Sequence, residues 1–117
     1  MHWIAGNVNT LGIYSLIQAM ITKNVSLIRT SASTYEELKN LLNNFALVDT
    51  SVIKGNDFIK TFALVFIDSK DKEKNEEISQ SADIRIAWGG KEAIEAITSY
   101  KKNRFYLFNN REPDEKE

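Results

Sequence analysis

The chain has 117 residues, which is the size of one domain and is enough to bury a core. Its net charge of -1 gives no overall attraction to nucleic acid or to anionic membranes. Because the sequence contains no cysteine, it excludes disulfides, thiolate metal sites and a cysteine nucleophile within these residues.

The N-terminal residues show no basic segment followed by an apolar run, a pattern that argues against a secretory signal. The longest mainly apolar stretch covers residues 11–21, which is too short to cross a hydrocarbon layer of about 30 Å. We therefore expect a cytoplasmic protein with no membrane span and no nucleic acid partner.

Short apolar runs alternate with longer helical patterns along the chain. The alternation predicts an α/β fold with an open parallel sheet of five strands and helices on both faces. The sequence Thr34-Tyr35-Glu36-Glu37 has the form of a capping box and predicts that the second helix begins there. The charged tail, residues 111–117, is expected to be disordered. The predicted strands are residues 3–5, 25–29, 62–67, 84–87 and 105–108, and the predicted helices are residues 10–22, 34–45, 71–80 and 91–100.

Three loops follow predicted strands, where open α/β sheets bind their ligands. In residues 6–10, Gly6 permits close backbone approach, although the loop also suits an ordinary turn with Asn9 or Thr10 as a helix cap. In residues 28–33, Arg29 and neighbouring hydroxyls suit a phosphate or a ribose, and an exposed arginine beside a helix cap is the alternative. In residues 87–91, a glycine pair at the start of a helix suits a pyrophosphate, but it is neither a complete dinucleotide fingerprint nor a P-loop.

The sequence shows no other group of residues that indicates a metal site or a catalytic site. The single histidine, His2, lies at the chain end, so we expect no histidine-based metal site and no catalytic dyad. Trp3 and Trp88 are interpreted as core or cleft-lining aromatic residues.

Five short motifs follow one another along the chain: residues 4–8 (Ile-Ala-Gly-Asn-Val), 11–12 (Leu-Gly), 21–24 (Ile-Thr-Lys-Asn), 28–31 (Ile-Arg-Thr-Ser) and 82–94, which include Ala87-Trp88-Gly89-Gly90-Lys91. In order and spacing they resemble the acyl-CoA reductases of the LuxC type, which belong to the aldehyde dehydrogenase superfamily and serve bacterial bioluminescence. The resemblance covers about residues 2–108 and implies a Rossmann-like coenzyme-binding domain over residues 1–110.

The resemblance implies an NADP(H)-dependent reduction of a long-chain acyl group, carried by CoA or by a protein, to a fatty aldehyde. Asn7 matches the asparagine that stabilises the oxyanion. Arg29 matches a lysine that contacts the adenosine ribose, and Ala32 leaves room for a 2′-phosphate where relatives that prefer NAD carry a glutamate. The cofactor-binding residues that it implies are Arg29, Thr30, Ser31, Trp88, Gly89 and Gly90.

Two departures from the family leave alternatives open. Asn9 stands where the family has a proline, and the family's catalytic cysteine belongs to a domain that would follow the fifth strand. The chain is interpreted as an excised or truncated coenzyme-binding domain that is inactive alone and forms a homodimer through the surface its missing domain would cover. The alternative is a non-catalytic module that senses nucleotides or binds proteins. A flavodoxin-like or receiver domain fits less well, because a receiver needs acidic residues after the first strand and Gly6-Asn7 supplies none.

Overall fold

The structure, a computed structural model, describes residues 1–4 and 9–100, with the backbone alone for residues 9–12. Its sheet contains four strands: β1 (His2–Ile4), β2 (Ser26–Thr30), β3 (Phe62–Phe66) and β4 (Ile86–Trp88). All pairings are parallel and the strand order is β3-β2-β1-β4. The predicted parallel α/β sheet is confirmed, but with four strands rather than five among the described residues. The fifth predicted strand, residues 105–108, and the charged tail lie outside the described residues.

Helices connect the successive parallel strands, as crossover connections require. The helix α1 covers Asn9–Ile21 and α2 covers Ala32–Phe45. The helix α4 covers Lys72–Ser81 and α5 covers Lys91–Ser99, so four predicted helices are confirmed to within about two residues. A short helix, α3 (Gly55–Phe58), and a 3₁₀ turn (Ile59–Thr61) precede β3 and have no counterpart among the predicted elements.

The core lies on both faces of the sheet, because successive strand residues point to opposite sides. Trp3 faces α5, where its ring stacks on Tyr100 at 5.6 Å between centroids. Ile4 and Ile28 face the other way and pack against α1 and α2. Helices therefore cover both faces, as predicted. The buried core residues on the Trp3 face are Met1, Trp3, Ala87, Ile94, Ile97 and Tyr100, and those on the other face are Ile4, Leu16, Ile28, Leu38 and Leu42.

The start of α2 differs from the predicted capping box. Ser31 is the N-cap, and its carbonyl accepts hydrogen bonds from Thr34 N and Tyr35 N at 3.3 and 3.1 Å. Thr34 is buried inside the first turn, where its hydroxyl bonds to that of Thr30. The prediction that the helix begins at Thr34 was wrong, because that hydroxyl is used to join the helix to the end of β2.

A buried cation holds the far end of α5 against the sheet. Arg85, immediately before β4, is 1% exposed, and burial lowers the pKa of its guanidinium. Its Nη1 donates to the carbonyls of Ile97 and Tyr100 at 3.3 and 3.4 Å, and to the hydroxyl of Ser79. These carbonyls lie at the C-terminal end of the helix, where a cation is favoured.

Candidate functional site

The carboxyl ends of the four strands meet at one edge of the sheet. Ile4 pairs with Trp88, and Thr30 pairs with Phe66, so the four strands end at nearly the same level. The strand order runs outward from β1 through β2 to β3, and the chain then returns to place β4 on the other side of β1. The reversal makes the gap between β1 and β4 the topological switch point, where open α/β sheets bind ligands.

The loop at residues 89–90 lies directly beside this switch point. Gly90 is the N-cap of α5, and no side chain caps the helix. Its carbonyl accepts a hydrogen bond from Ile94 N at 3.1 Å, so the N–H groups of the first turn point outward. A Cβ built on Gly90 would meet no heavy atom of the described residues within 4 Å. The open helix end can therefore receive an anion such as a pyrophosphate.

The end of β2 supplies a cluster of hydroxyl groups. The Oγ of Ser31 lies 3.0 Å from the Oγ of Ser33 and 3.0 Å from the Oγ1 of Thr34. Thr30 is fully buried, and its hydroxyl contacts Thr34. Of the two predicted cofactor-binding residues in this cluster, Ser31 is the one that is partly accessible, whereas Thr30 lies beneath it.

Arg29 lies on β2 and points to the same face of the sheet as Trp3. Its Nη2 donates to the carbonyl of Ile67 at 2.7 Å, and its guanidinium lies 5.4 Å from the centre of the Trp3 ring. Burial lowers the pKa of this guanidinium, and the nearby Tyr100 and Asp68 oppose that effect. Arg29, which is predicted to contact a phosphate, is thus half-buried at the carboxyl edge of the sheet, where its side chain joins the ends of β2 and β3.

The loop between β3 and α4 is held by a buried amide. Asn75 is fully buried, and its Nδ2 donates to the carbonyls of Asp68 and Asp71 at 2.8 and 2.7 Å. Asp71 caps α4 by accepting a hydrogen bond from Lys74 N at 3.2 Å. Asn75, which holds the loop between β3 and α4 in place, was not identified from the sequence. An asparagine four residues after a capping aspartate was the available signal.

Two predicted site residues, Gly6 and Asn7, lie outside the described residues. Trp88 is half-buried at the end of β4, and Gly89 follows it. The structure therefore brings Arg29, Ser31, Trp88, Gly89 and Gly90 to one edge of the sheet. Among the described residues, no cluster of three or more potential ligands could hold a metal ion.

A cavity of about 630 Å³ lies at the opposite edge, where the strands begin. Its lining combines apolar residues with polar and charged ones, which are His2, Gln18, Thr22, Asn24, Ser26, Lys60, Ser81 and Asp83. His2 is 2% exposed, with its Nδ1 at 2.5 Å from the Oγ of Ser15 and its Nε2 at 3.2 Å from the Oγ of Ser26. Burial, together with the N-terminal charge, lowers the pKa of His2 to about 4. His2, for which the sequence predicted neither a metal site nor a catalytic dyad, is therefore a core residue with two hydroxyl partners.

None of the helices in the described part of the chain is long and apolar enough to cross a membrane. The sequence model of the family described as Acyl-CoA reductase (LuxC) matches residues 1–107. No solved structure matches the chain significantly.

Curated relatives carry the name long-chain acyl-protein thioester reductase. A Photobacterium leiognathi protein, long-chain acyl-protein thioester reductase 2, is 32% identical over 101 residues, which cover 86% of this chain and 20% of that protein. The Aliivibrio fischeri protein is also 32% identical, with the same coverage. The Photorhabdus laumondii protein is 33% identical over 95 residues, covering 80% of this chain and 19% of its own length. The chain thus spans about a fifth of the length of these relatives.

Proposed function

Because the chain belongs to the LuxC family of acyl-CoA reductases, we propose that it is the NADP(H)-binding domain of such a reductase, with a Rossmann-like fold. The reaction of the whole enzyme would reduce a long-chain acyl thioester to a fatty aldehyde. Relatives are named for acyl-protein thioesters, and an acyl-protein or acyl-CoA is the substrate class we propose here.

The observation that carries this proposal is the open N-terminus of α5 beside the switch point. No described side chain caps the helix, and a Cβ on Gly90 would meet no heavy atom of the described residues within 4 Å. A pyrophosphate lying there would accept hydrogen bonds from the first-turn N–H groups and would face the positive end of the helix dipole. The bound cofactor would supply a hydride.

The adenosine end of the cofactor would lie toward β2, on the other side of β1. Ser31 and Ser33 present hydroxyls there, and Arg29 supplies a cation. Thr30 would support this surface through Thr34 rather than touch the cofactor, because it is fully buried. Trp88 and Gly89 would line the nicotinamide side of the gap, and Asn7 keeps its proposed oxyanion role by resemblance alone.

One observation favours the alternative, a non-catalytic module that senses nucleotides or binds proteins. The guanidinium of Arg29 already donates to Ile67 O and lies over Trp3, so part of its hydrogen-bonding capacity serves the fold. A module that had lost cofactor binding would keep this structural role. Cofactor binding by the chain therefore separates the two functions.

The test is calorimetric titration of the chain with NADPH and with NADH. We expect tighter binding of NADPH, and Ser31→Ala should weaken NADPH binding more than NADH binding, because it removes a hydroxyl proposed to contact the 2′-phosphate. Ser99→Ala is the matched control, since Ser99 is an exposed hydroxyl at the other end of α5. Equal affinities for both cofactors, unchanged by Ser31→Ala, would contradict the assignment.

A further inference from the structure

A carboxylate lies at the carboxyl edge of the sheet, next to the residues proposed to hold the adenosine end of the cofactor. Thr30 and Phe66 pair at the last positions of β2 and β3. The next residues, Ser31 and Ile67, therefore leave the two strands at the same level, and neighbouring strands are about 4.8 Å apart. Asp68 follows directly and is exposed. Its charge therefore lies close enough to act on a ligand bound at Ser31, since charges interact over about 8 Å at physiological salt.

The loop between β3 and α4 holds this carboxylate in place. The Oδ1 of Asp68 accepts a hydrogen bond from Lys70 N at 2.9 Å. The carbonyl of Asp68 accepts hydrogen bonds from Asp71 N at 3.1 Å and from the Nδ2 of the buried Asn75 at 2.8 Å. Asp71 is paired with Lys74 at 3.0 Å, whereas none of the ion pairs among the described residues includes Asp68. The negative charge of Asp68 is thus fixed at the edge and is not neutralised by a lysine of its own loop.

The nearby cation is Arg29. Its Nη2 donates to the carbonyl of Ile67, the residue directly before Asp68, at 2.7 Å. Burial lowers the pKa of the guanidinium, and the charge of Asp68 is among the influences that oppose this effect. A carboxylate and the guanidinium that is proposed to hold a phosphate therefore share the end of β3.

We infer that Asp68 is a specificity-determining residue, whose carboxylate weakens binding of the 2′-phosphate and so limits the preference for NADPH over NADH. The inference rests on the proposed function, because it takes the adenosine end of the cofactor to lie beside Ser31 and Arg29. A phosphate monoester carries a charge of about −1.5 to −2, whereas the ribose of NADH has an uncharged hydroxyl at that position. A fixed carboxylate therefore repels one cofactor and not the other. It also competes with the phosphate for the guanidinium of Arg29.

The test is calorimetric titration of Asp68→Asn with NADPH and with NADH. We expect NADPH to bind about fivefold more tightly or better than it binds the wild type, and NADH affinity to change by less than about twofold. Asparagine keeps an Oδ1 that can accept from Lys70 N, so the loop retains its hydrogen bond. Asp68→Glu keeps the charge and should give an NADPH to NADH ratio close to that of the wild type. Asp83→Asn removes the same charge at the opposite edge of the sheet and should leave both affinities unchanged.

The salt dependence gives a second measurement. The gain in NADPH affinity of Asp68→Asn over the wild type should shrink as the salt rises from about 0.01 M to about 1 M, because salt screens the repulsion. An unchanged ratio of affinities in a folded Asp68→Asn protein would overturn the inference and leave the cofactor site in place. So would an equal gain in Asp83→Asn, or a loss of NADH binding in Asp68→Asn, which would make the carboxylate a ligand of the ribose. If neither cofactor binds the wild-type chain, the proposed function fails, and this inference fails with it.

Discussion

Arg29 and Trp3 are neighbours in adjacent parallel strands, and the guanidinium of Arg29 lies 5.4 Å from the centre of the Trp3 ring. The same guanidinium donates to Ile67 O at the end of β3. One side chain therefore connects three strands of the sheet at the edge where the cofactor is proposed to bind. A residue predicted only as a ligand contact is also part of the fold.

Replacement of Arg29 is expected to have two separable effects. Arg29→Ala should lower the free energy of unfolding by about 2 kcal/mol, because it removes a hydrogen bond from a charged donor and a cation–π contact. It should also abolish the preference for NADPH over NADH, because a guanidinium can hold a phosphate by two charge-assisted bonds. Urea unfolding measures the first effect and calorimetry the second.

Arg29→Lys is the control for this pair of effects. It keeps the positive charge but cannot make the planar, two-pronged contact. We expect the ratio of the NADPH affinity to the NADH affinity to fall but to stay above one. A folded Arg29→Ala protein with an unchanged ratio of affinities would remove Arg29 from the cofactor site and leave it a purely structural residue.

Two glycines should differ in how much the same added methyl group destabilises the chain. A Cβ on Gly55 would lie 1.9 Å from Phe45 O and 2.5 Å from Val48 O, so Gly55→Ala should destabilise the chain by about 3 kcal/mol. Gly90→Ala has open space and should cost less than about 1 kcal/mol, the loss expected at an N-cap. The second change should nevertheless weaken NADPH binding, because the methyl group enters the space proposed for the pyrophosphate. Thermal unfolding and calorimetry of both variants check this, and full NADPH affinity in Gly90→Ala would place the cofactor elsewhere.

The sheet was predictable because its strands are continuous apolar runs between helices with clear periodicity. Strands of this kind are covered on both faces of the sheet. Trp3 and Ile4 are adjacent in β1 and pack into the cores on opposite faces. The start of α2 was not predictable from its capping motif. Thr34 fits the capping pattern, but a hydrogen bond to the hydroxyl of Thr30, four residues earlier at the end of β2, uses its hydroxyl instead.

The candidate site was predictable only as a set of strand ends. Topology brings Ser31 and Gly90 to one edge, as parallel strands require. The partners of individual polar residues were not readable, because they depend on contacts between distant segments. Arg85 bonds carbonyls 12 and 15 residues away, and His2 bonds Ser15 and Ser26 across the sheet and α1.

The buried His2 predicts a loss of stability in mild acid. The pKa of His2 is lowered from 6.5 to about 4 in the folded chain. At a pH between these values, His2 is therefore protonated in the unfolded chain and neutral in the folded chain. The stabilisation is therefore complete above about pH 6.5 and is lost as the pH falls toward 4. A difference of about 2.5 between the two pKa values corresponds to a stabilisation on the order of 3 kcal/mol.

Urea unfolding at a series of pH values measures this effect. His2 is the single histidine of the sequence, but burial also lowers the pKa of the N-terminal ammonium of Met1, so a substitution is needed to isolate the contribution of His2 to the slope. His2→Gln keeps hydrogen-bonding capacity without titrating, and should flatten the slope between pH 6.5 and 5. An equally steep slope in His2→Gln would assign the acid sensitivity to other groups.

The last prediction is that this chain alone does not reduce acyl thioesters. In the reaction proposed for the whole enzyme the acyl group is transferred to a thiolate, because sulfur is a strong nucleophile and a good leaving group. The sequence has no cysteine. Ser15 does contact a histidine, but it is 1% exposed, and the pKa of about 4 makes His2 a weak base. That serine is therefore not available to an acyl thioester.

An oxyanion donor such as Asn7 would contribute only about 2.7–4 kcal/mol to barrier lowering, which cannot replace a nucleophile. The measurement is NADPH oxidation by concentrated, pure chain with a long-chain acyl-CoA. We expect no rate above background, while NADPH binding in the same sample shows that the cofactor site is intact. Ser15→Ala is the control that separates a real hidden dyad from contamination. Turnover that Ser15→Ala abolishes would mean that the buried Ser15–His2 pair opens to substrate, and that the chain carries a nucleophile of its own.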